Sequence, residues 1–183
     1  ILFFSKPKRR IMFLDDDLCH KAVELVQKVG KIVLQKFRDQ DLQVSYKEDG
    51  SPVTSVDIVA DQEIRAGLKK IAGYPVVSEE LFEAVDDDRL PYWLVDPIDG
   101  TRHFINQSEE FTVNVALVVN HKSIMGVINH PPAGTTYFAQ KQKGAFKINP
   151  KGEIHSLKTS KFDSQKLQVI VSSHDKHNWQ SKL

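Results

Sequence analysis

The chain contains the stretch Asp96-Pro97-Ile98-Asp99-Gly100-Thr101-Arg102-His103, which follows the apolar run Tyr92-Trp93-Leu94-Val95. A short apolar run that ends at turn-forming residues is typical of a buried strand. The stretch places two carboxylates three positions apart, directly before a Gly-Thr turn. Carboxylate oxygens suit hard cations such as Mg²⁺, and a turn that opens a helix offers N–H groups to a phosphate. The pattern therefore predicts metal-assisted chemistry on a phosphate.

A second acidic point precedes this stretch. Glu79 and Glu80 end the apolar run Pro75-Val76-Val77, and Glu79 lies seventeen positions before Asp96. Two predicted strands therefore end in carboxylates. A plain Asx-turn around Asp96 and Asp99 is the alternative, because Asp and Pro are common turn formers. We favour the metal site, because crowded carboxylates repel one another unless a positive charge lies among them.

Length and composition narrow the class of protein. The 183 residues are 40% hydrophobic and 27% charged, as expected for one globular domain or part of one. The formal net charge of +1 gives no electrostatic reason to expect nucleic-acid binding. The single cysteine, Cys19, excludes an internal disulfide and fits a cytoplasmic protein.

Residues 1–17 are interpreted as a leader of unknown role. Apolar residues 1–4 precede the basic cluster Lys6, Lys8, Arg9 and Arg10, which is the reverse of the order in a signal peptide. No stretch of the sequence is apolar for long enough to span a bilayer. The apolar-basic pattern leaves open a peripheral contact with the inner membrane.

Two helices are predicted before the acidic strands. Apolar residues recur at helical spacing from Leu18 to Phe37. A second helix is expected from Ser55 to Lys70, with Thr54 as its N-cap and Gly73 as its end. Asp57 stands at the third position of that helix, where an acid is favourable without any metal.

The remaining sequence predicts mainly strands. The segments with strand-like composition are 111–119, 124–128, 135–139 and 167–171. The order of elements indicates an α/β (α+β) fold with a sheet too antiparallel for a Rossmann unit. Only two long helices are available to cover this sheet, so we expect residues 18–183 to be the N-terminal portion of a domain whose C-terminal portion is absent.

Three motifs together resemble those of the inositol monophosphatase-like, lithium-sensitive phosphatases. They are 93–101 with Phe104, Val77-Ser78-Glu79-Glu80, and Ser51-Pro52-Val53-Thr54-Ser55-Val56-Asp57. Segments 110–117 and 169–174 resemble the bacterial 3′(2′),5′-bisphosphate nucleotidase branch. Arg102-His103 stands where that branch usually has Lys-Glu, and the family's downstream Trp-Asp-x-Ala motif does not occur in the 183 residues.

The resemblance implies a role for each matching position. It implies a metal site for two or three Mg²⁺ ions, made by Glu79, Asp96, Asp99, Asp57 and the carbonyl of Ile98. It implies a catalytic group of Glu79, Thr101 and Asp57. It implies contacts with the substrate from Glu79, Ile98, Asp99, Gly100, Thr101 and His174, the last of these at a second phosphate of the nucleotide.

The resemblance also implies a fold and an activity. The fold would be a layered αβαβα sandwich. The activity would be removal of the 3′-phosphate of adenosine 3′,5′-bisphosphate, or of 3′-phosphoadenylyl sulfate, in sulfur assimilation, with inhibition by lithium. A paired Mg²⁺ site would act as a clamp on the attacking and leaving oxygens.

Two alternatives stay open. One is an inositol or sugar phosphatase of the same superfamily, and the other is a non-catalytic fragment that binds a metal or a partner. Because the downstream Asp is missing, we expect little phosphatase activity from residues 1–183 alone. We also expect uncovered apolar surface to favour a homodimer.

Overall fold

The structure, a computed structural model, describes residues 16–40, 42–81, 85, 87 and 89–160. The helices are α1 (Asp16–Asp39), α2 (Ser55–Ile71) and α3 (Thr101–Ile105). The strands are β1 (Val44–Tyr46), β2 (Pro52–Thr54), β3 (Val76–Ser78), β4 (Tyr92–Asp99), β5 (Thr112–Val119), β6 (Lys122–His130), β7 (Thr135–Gln140), β8 (Gly144–Ile148) and β9 (Ile154–Leu157). Within these ranges, every helix is too short or too polar to cross a bilayer.

The apolar stripe of α1 faces the sheet. Its fully buried members recur three or four positions apart, at Ala22, Val26, Val29 and Val33. Acidic residues occupy the first turn of the helix and basic residues the last, which complements the helix dipole. Helix α1 packs against β5, β6 and β7, and α2 packs against α1 and β4. The two long helices therefore form one layer on one face of the sheet.

The main sheet has seven strands in the order β3-β4-β5-β6-β7-β8-β9. Strands β3 and β4 are parallel, and every following pair is antiparallel. Strands β1 and β2 form a separate hairpin. The parallel pair lies at one edge of the sheet, so the two acid-ending strands are neighbours that run in the same direction.

The two faces of the sheet differ in their surroundings. Trp93 and Val115 are buried in the core that the helices cover. On the opposite face, Leu94, Ile128 and Tyr137 are exposed, at 46%, 47% and 38% of their surface. These apolar side chains leave that face suited to packing against a further layer.

The α/β prediction is confirmed, and the described residues form one helical layer and one mixed sheet. Several details of the prediction were wrong. Helix α1 begins at Asp16, inside the predicted leader, and α2 ends at Ile71 with an extended Ala72 as its C-cap, so Gly73 does not end it. The β1–β2 hairpin, β8 and β9 were not predicted. The predicted strand 167–171 lies outside the described residues.

Candidate active site

A β-bulge brings Asp96 and Asp99 to the same face of the sheet. Asp96 lies opposite Asn114 and Asp99 opposite Thr112, so three steps along β4 match two steps along β5. In a regular strand, residues three apart point to opposite faces. The extra residue in the bulge turns the Asp96 and Asp99 side chains to the same face, as bulges next to functional sites do. The Asn114 side chain fixes the second carboxylate by donating from Nδ2 to Asp99 Oδ2 at 3.2 Å.

The parallel pairing of β3 and β4 places Glu79 beside Asp96. Ser78 is in register with Val95, and the next backbone N–H, that of Glu79, donates to the Val95 carbonyl at 3.2 Å. Because both strands run in the same direction, their acid-bearing ends meet at the same edge. The second acidic point of the sequence is therefore part of the same site.

Arg65 of α2 holds the backbone on both sides of Glu79. Its Nη1 donates to the Val76 carbonyl at 2.9 Å and its Nη2 to the Leu81 carbonyl at 2.6 Å. Its Nε lies 3.3 Å from Oδ2 of the buried Asp61. The guanidinium is a planar fork with fixed donor directions. Arg65 therefore ties the segment that carries Glu79 to α2.

Gly100 begins α3 in a conformation that other residues rarely adopt. Its φ is +96°, and a Cβ at this position would lie 2.6 Å from the Glu110 carbonyl oxygen. The helix that follows is anchored by Phe104, whose ring packs against Phe37 and Phe111 with centroids 5.3 and 4.9 Å away. The Gly-Thr turn is thereby fixed beside the end of β4.

Asp57 contacts both the start of α2 and the Gly-Thr turn. Its Oδ2 accepts from the backbone N–H of Thr54 at 2.8 Å and from the Thr54 hydroxyl at 2.5 Å, which completes a capping box. Its Oδ1 lies 3.3 Å from Oγ1 of Thr101, which is also 3.0 Å from the Ile98 carbonyl. Having one hydroxyl hydrogen, Thr101 donates to one of these oxygens at a time. The capping role and the contact with Thr101 coexist.

Burial and the neighbouring carboxylates raise the proton affinity of Asp96. Burial, followed by the negative charges of Glu79 and Asp99, a hydrogen bond to Glu79 and the charge of Asp57, raises the pKa of Asp96 to about 7. Burial also raises the pKa of Asp57, against the hydrogen bonds from Thr54. Asp57 and Asp96 are therefore poorly solvated and lie close to further acids, so a positive charge placed among them would be stabilised.

Lys47 brings a positive charge to the rim of this space. It lies in the turn between β1 and β2, and its Nζ is 2.9 Å from Glu79 Oε1 and 3.0 Å from Glu80 Oε1. Burial lowers the pKa of Lys47, but the hydrogen bonds and charges of Glu79 and Glu80 outweigh this and raise it. Burial raises the pKa of Glu80, and Lys47 opposes the shift.

The donor atoms fit a hard dication by their chemistry. Oδ1 of Asp96 is buried and has no hydrogen-bond partner within the described part of the chain. Carboxylate and carbonyl oxygens are the ligands that Mg²⁺ accepts. In that same part of the chain, no three His, Cys, Asp or Glu side chains converge at metal-ligand geometry. Protein donors hold the other acids: Lys47 binds Glu79, Thr54 binds Asp57 and Asn114 binds Asp99.

The structure brings most of the predicted site residues together. The residues that meet at one end of the β3–β4 pair and at the adjoining starts of α2 and α3 are Glu79, Asp96, Ile98, Asp99, Gly100, Thr101 and Asp57. His174 lies outside the described residues. Glu80 was noted in the sequence beside Glu79 but given no role, and three neighbours were not predicted, namely Lys47, Arg65 and Asn114. Only Asn114 gave a signal, as a polar residue among the apolar ones of a strand pattern.

Comparison with known proteins identifies the family. The model of the inositol monophosphatase family matches residues 15–182. The chain belongs to the inositol monophosphatase family. The predicted resemblance to this family is thereby confirmed.

Individual relatives differ in their named substrates. The chain is 36% identical over 138 residues to a 3′(2′),5′-bisphosphate nucleotidase CysQ of Aggregatibacter actinomycetemcomitans, covering 73% of this chain and 51% of that protein. It is 40% identical over 126 residues to a histidinol-phosphatase of Chlorobaculum parvum, covering 68% and 48%. The chain thus spans about half the length of these relatives.

A solved structure supports the fold. The extragenic suppressor protein suhB of Bartonella henselae matches with a TM-score of 0.65 and 30% identity. The match covers 70% of this chain and 50% of that protein. The mixed sheet and its helical layer are therefore those of the family fold.

Proposed function

We propose that these residues are the catalytic portion of a Mg²⁺-dependent 3′(2′),5′-bisphosphate nucleotidase, which removes the 3′-phosphate of adenosine 3′,5′-bisphosphate to give AMP. The observation that carries the proposal is the buried Oδ1 of Asp96, which has no hydrogen-bond partner among the described residues and lies near the charges of Glu79, Asp99 and Asp57. CysQ-type nucleotidases among the relatives support the substrate class. The cytoplasm is the proposed location, and a small nucleotide is the proposed partner.

The residues divide into a holding group and an activating group. Asp96, Asp99, Glu79 and the Ile98 carbonyl would hold Mg²⁺, with Asp57 close by. When bound, Mg²⁺ supplies Lewis acidity and lowers the pKa of a water molecule. Thr101 would accept a hydrogen bond from an attacking water while its own hydroxyl donates to Asp57, whose Oδ1 is 3.3 Å away. The backbone N–H groups that open α3 after Gly100 would donate to the phosphate, because the first turn of a helix leaves its N–H groups without intrahelical acceptors.

The test compares three substrates in the presence and absence of Mg²⁺. Phosphate release from adenosine 3′,5′-bisphosphate, inositol 1-phosphate and histidinol phosphate is measured with Mg²⁺ and with EDTA, for the 183-residue chain and for the full product of its gene. For the full product, we expect phosphate release to depend on Mg²⁺. We expect its kcat/KM to be highest with adenosine 3′,5′-bisphosphate. Millimolar lithium should inhibit that release.

The alternative within the family is a phosphatase of inositol or histidinol phosphate. A histidinol-phosphatase covering 68% of this chain at 40% identity is the observation that favours it. A higher kcat/KM for inositol 1-phosphate or histidinol phosphate would move the chain to that activity. Absence of release from all three substrates by the full gene product would refute the phosphatase proposal.

A further inference from the structure

The ammonium of Lys47 is shared by two carboxylates of different burial. The Glu80 side chain is 4% exposed, whereas that of Glu79 is 50% exposed and that of Lys47 is 23% exposed. A buried carboxylate needs a paired cation, since leaving it unpaired is strongly unfavourable. Glu80 is therefore the anchor of the ammonium, and Glu79 is the more replaceable partner.

Glu79 is also one of the proposed ligands of the dication. Its charge is the second cause of the raised proton affinity of Asp96, so the two carboxylates are electrostatic neighbours. An ammonium and a dication that both contact Glu79 would repel each other at short distance. The two cations therefore compete for the same oxygens.

We propose that Lys47 is an internal counter-ion that occupies Glu79 in the metal-free protein and is displaced from it, but not from Glu80, when a dication binds. This inference rests on the proposed function, because it takes Glu79 as a ligand. Lys47 acts as a positioning residue. It stabilises the acidic site without metal and raises the metal concentration needed to fill it.

The contact also links the site to the β1–β2 hairpin. Lys47 is held in its turn by its backbone N–H, which donates to the Ser51 carbonyl at 2.9 Å. The following strand leads directly to Thr54, the cap of α2. Displacement of Lys47 from Glu79 therefore removes one ion pair between the turn and the residues that follow β3, while the ion pair with Glu80 keeps the hairpin in place.

The test replaces Lys47 by Met, with Gln as a second neutral variant. Thermal unfolding of the full 183-residue chain is followed at increasing concentrations of Mg²⁺ alone, and Mg²⁺ binding is measured by calorimetry. K47M and K47Q should unfold at a lower temperature than the wild type without metal, because the acids lose their counter-ion. Both should bind Mg²⁺ on the order of tenfold more tightly, since a unit charge about 5 Å away acts on the dication even at high dielectric.

Two controls separate this effect from general destabilisation. K28M removes the lysine of an exposed pair with Glu63, whose atoms are 3.0 Å apart, and should change neither measurement. K47R keeps the charge and should keep the wild-type Mg²⁺ affinity within about threefold. Under the proposal, saturating Mg²⁺ narrows the stability difference between K47M and the wild type by the amount that corresponds to the tighter Mg²⁺ binding, while the loss of the pair with Glu80 remains.

Three results would overturn the inference. If K47M and K47Q bind Mg²⁺ with unchanged or lower affinity than a wild type that does bind, Lys47 is not a competitor, and the proposed function stands. If saturating Mg²⁺ does not narrow the loss of stability at all, Lys47 has a purely structural role. If the wild type itself does not bind Mg²⁺, both the inference and the proposed metal site fail.

Discussion

Replacing Asp96 by Asn should stabilise the metal-free protein while removing its response to Mg²⁺. The pKa of Asp96 is raised from 3.8 to about 7 by burial and by Glu79 and Asp99. Between these values the folded protein binds more protons than the unfolded chain, so its stability falls as the pH rises. Asn carries no charge at any pH, so the stability of D96N does not fall in this way as the pH rises.

The size of the effect follows from the shift. A change from 3.8 to about 7 corresponds to at most about 4 kcal/mol. Because Asp96 is partly exposed, solvent screening reduces this to about 1–2 kcal/mol at pH 8. At pH 4 the carboxyl of Asp96 in the folded wild type is protonated and as neutral as the amide of Asn, so the difference between D96N and the wild type should nearly vanish.

The assay is urea unfolding at pH 4, 6 and 8 in EDTA, repeated with Mg²⁺. The matched control is D39N, an exposed acid at the end of α1, which should show no such pH dependence. With Mg²⁺ the order should reverse, because only the wild type keeps the carboxylate that binds the ion. If D96N is less stable than the wild type in EDTA at pH 8, the mutual repulsion of the acids is not a real feature of the site.

Three further substitutions probe separate parts of the site. Thr101→Val should lower kcat/KM of the full gene product by about 10²-fold and leave the Mg²⁺ affinity unchanged, because it removes only the hydroxyl beside Asp57. A parallel loss of Mg²⁺ binding in calorimetry would contradict this. Gly100→Ala should lower the free energy of unfolding by about 1–3 kcal/mol, since φ is +96° and the added Cβ meets the Glu110 carbonyl; urea unfolding that matches the wild type would be inconsistent with this backbone. Arg65→Lys keeps the charge beside Asp61 but loses the guanidinium fork that holds the carbonyls of Val76 and Leu81. The Mg²⁺ affinity should therefore fall about tenfold with a small change in stability. An unchanged affinity would show that Arg65 does not position Glu79.

The long helices could be predicted because their signals are local. The burial of α1 follows a spacing of three or four residues that is visible in the sequence. The cap of α2 by Thr54 and Asp57 is likewise contained in four consecutive residues. Strands β8 and β9 gave no comparable signal, since β8 is only partly buried, β9 is exposed, and neither shows alternation.

The candidate site required contacts between distant segments. Strict alternation along β4 would separate Asp96 from Asp99, and the bulge that unites them depends on the pairing with β5. The sequence motif suggested the grouping only through its resemblance to a family. Lys47 lies in a polar turn and meets Glu79 thirty-two positions later, so its role depends on how the hairpin packs.

The most direct test of the central claim is to locate a metal ion by anomalous diffraction from crystals of the protein soaked in Mn²⁺. The account predicts an anomalous peak at coordinating distance from Asp96, Asp99 and Glu79, with the Lys47 ammonium turned away from Glu79 and still paired with Glu80. A Mn²⁺-soaked crystal with no peak among these carboxylates, and with Lys47 still joining Glu79 to Glu80, would contradict the claim that this cluster is the metal centre of a phosphatase.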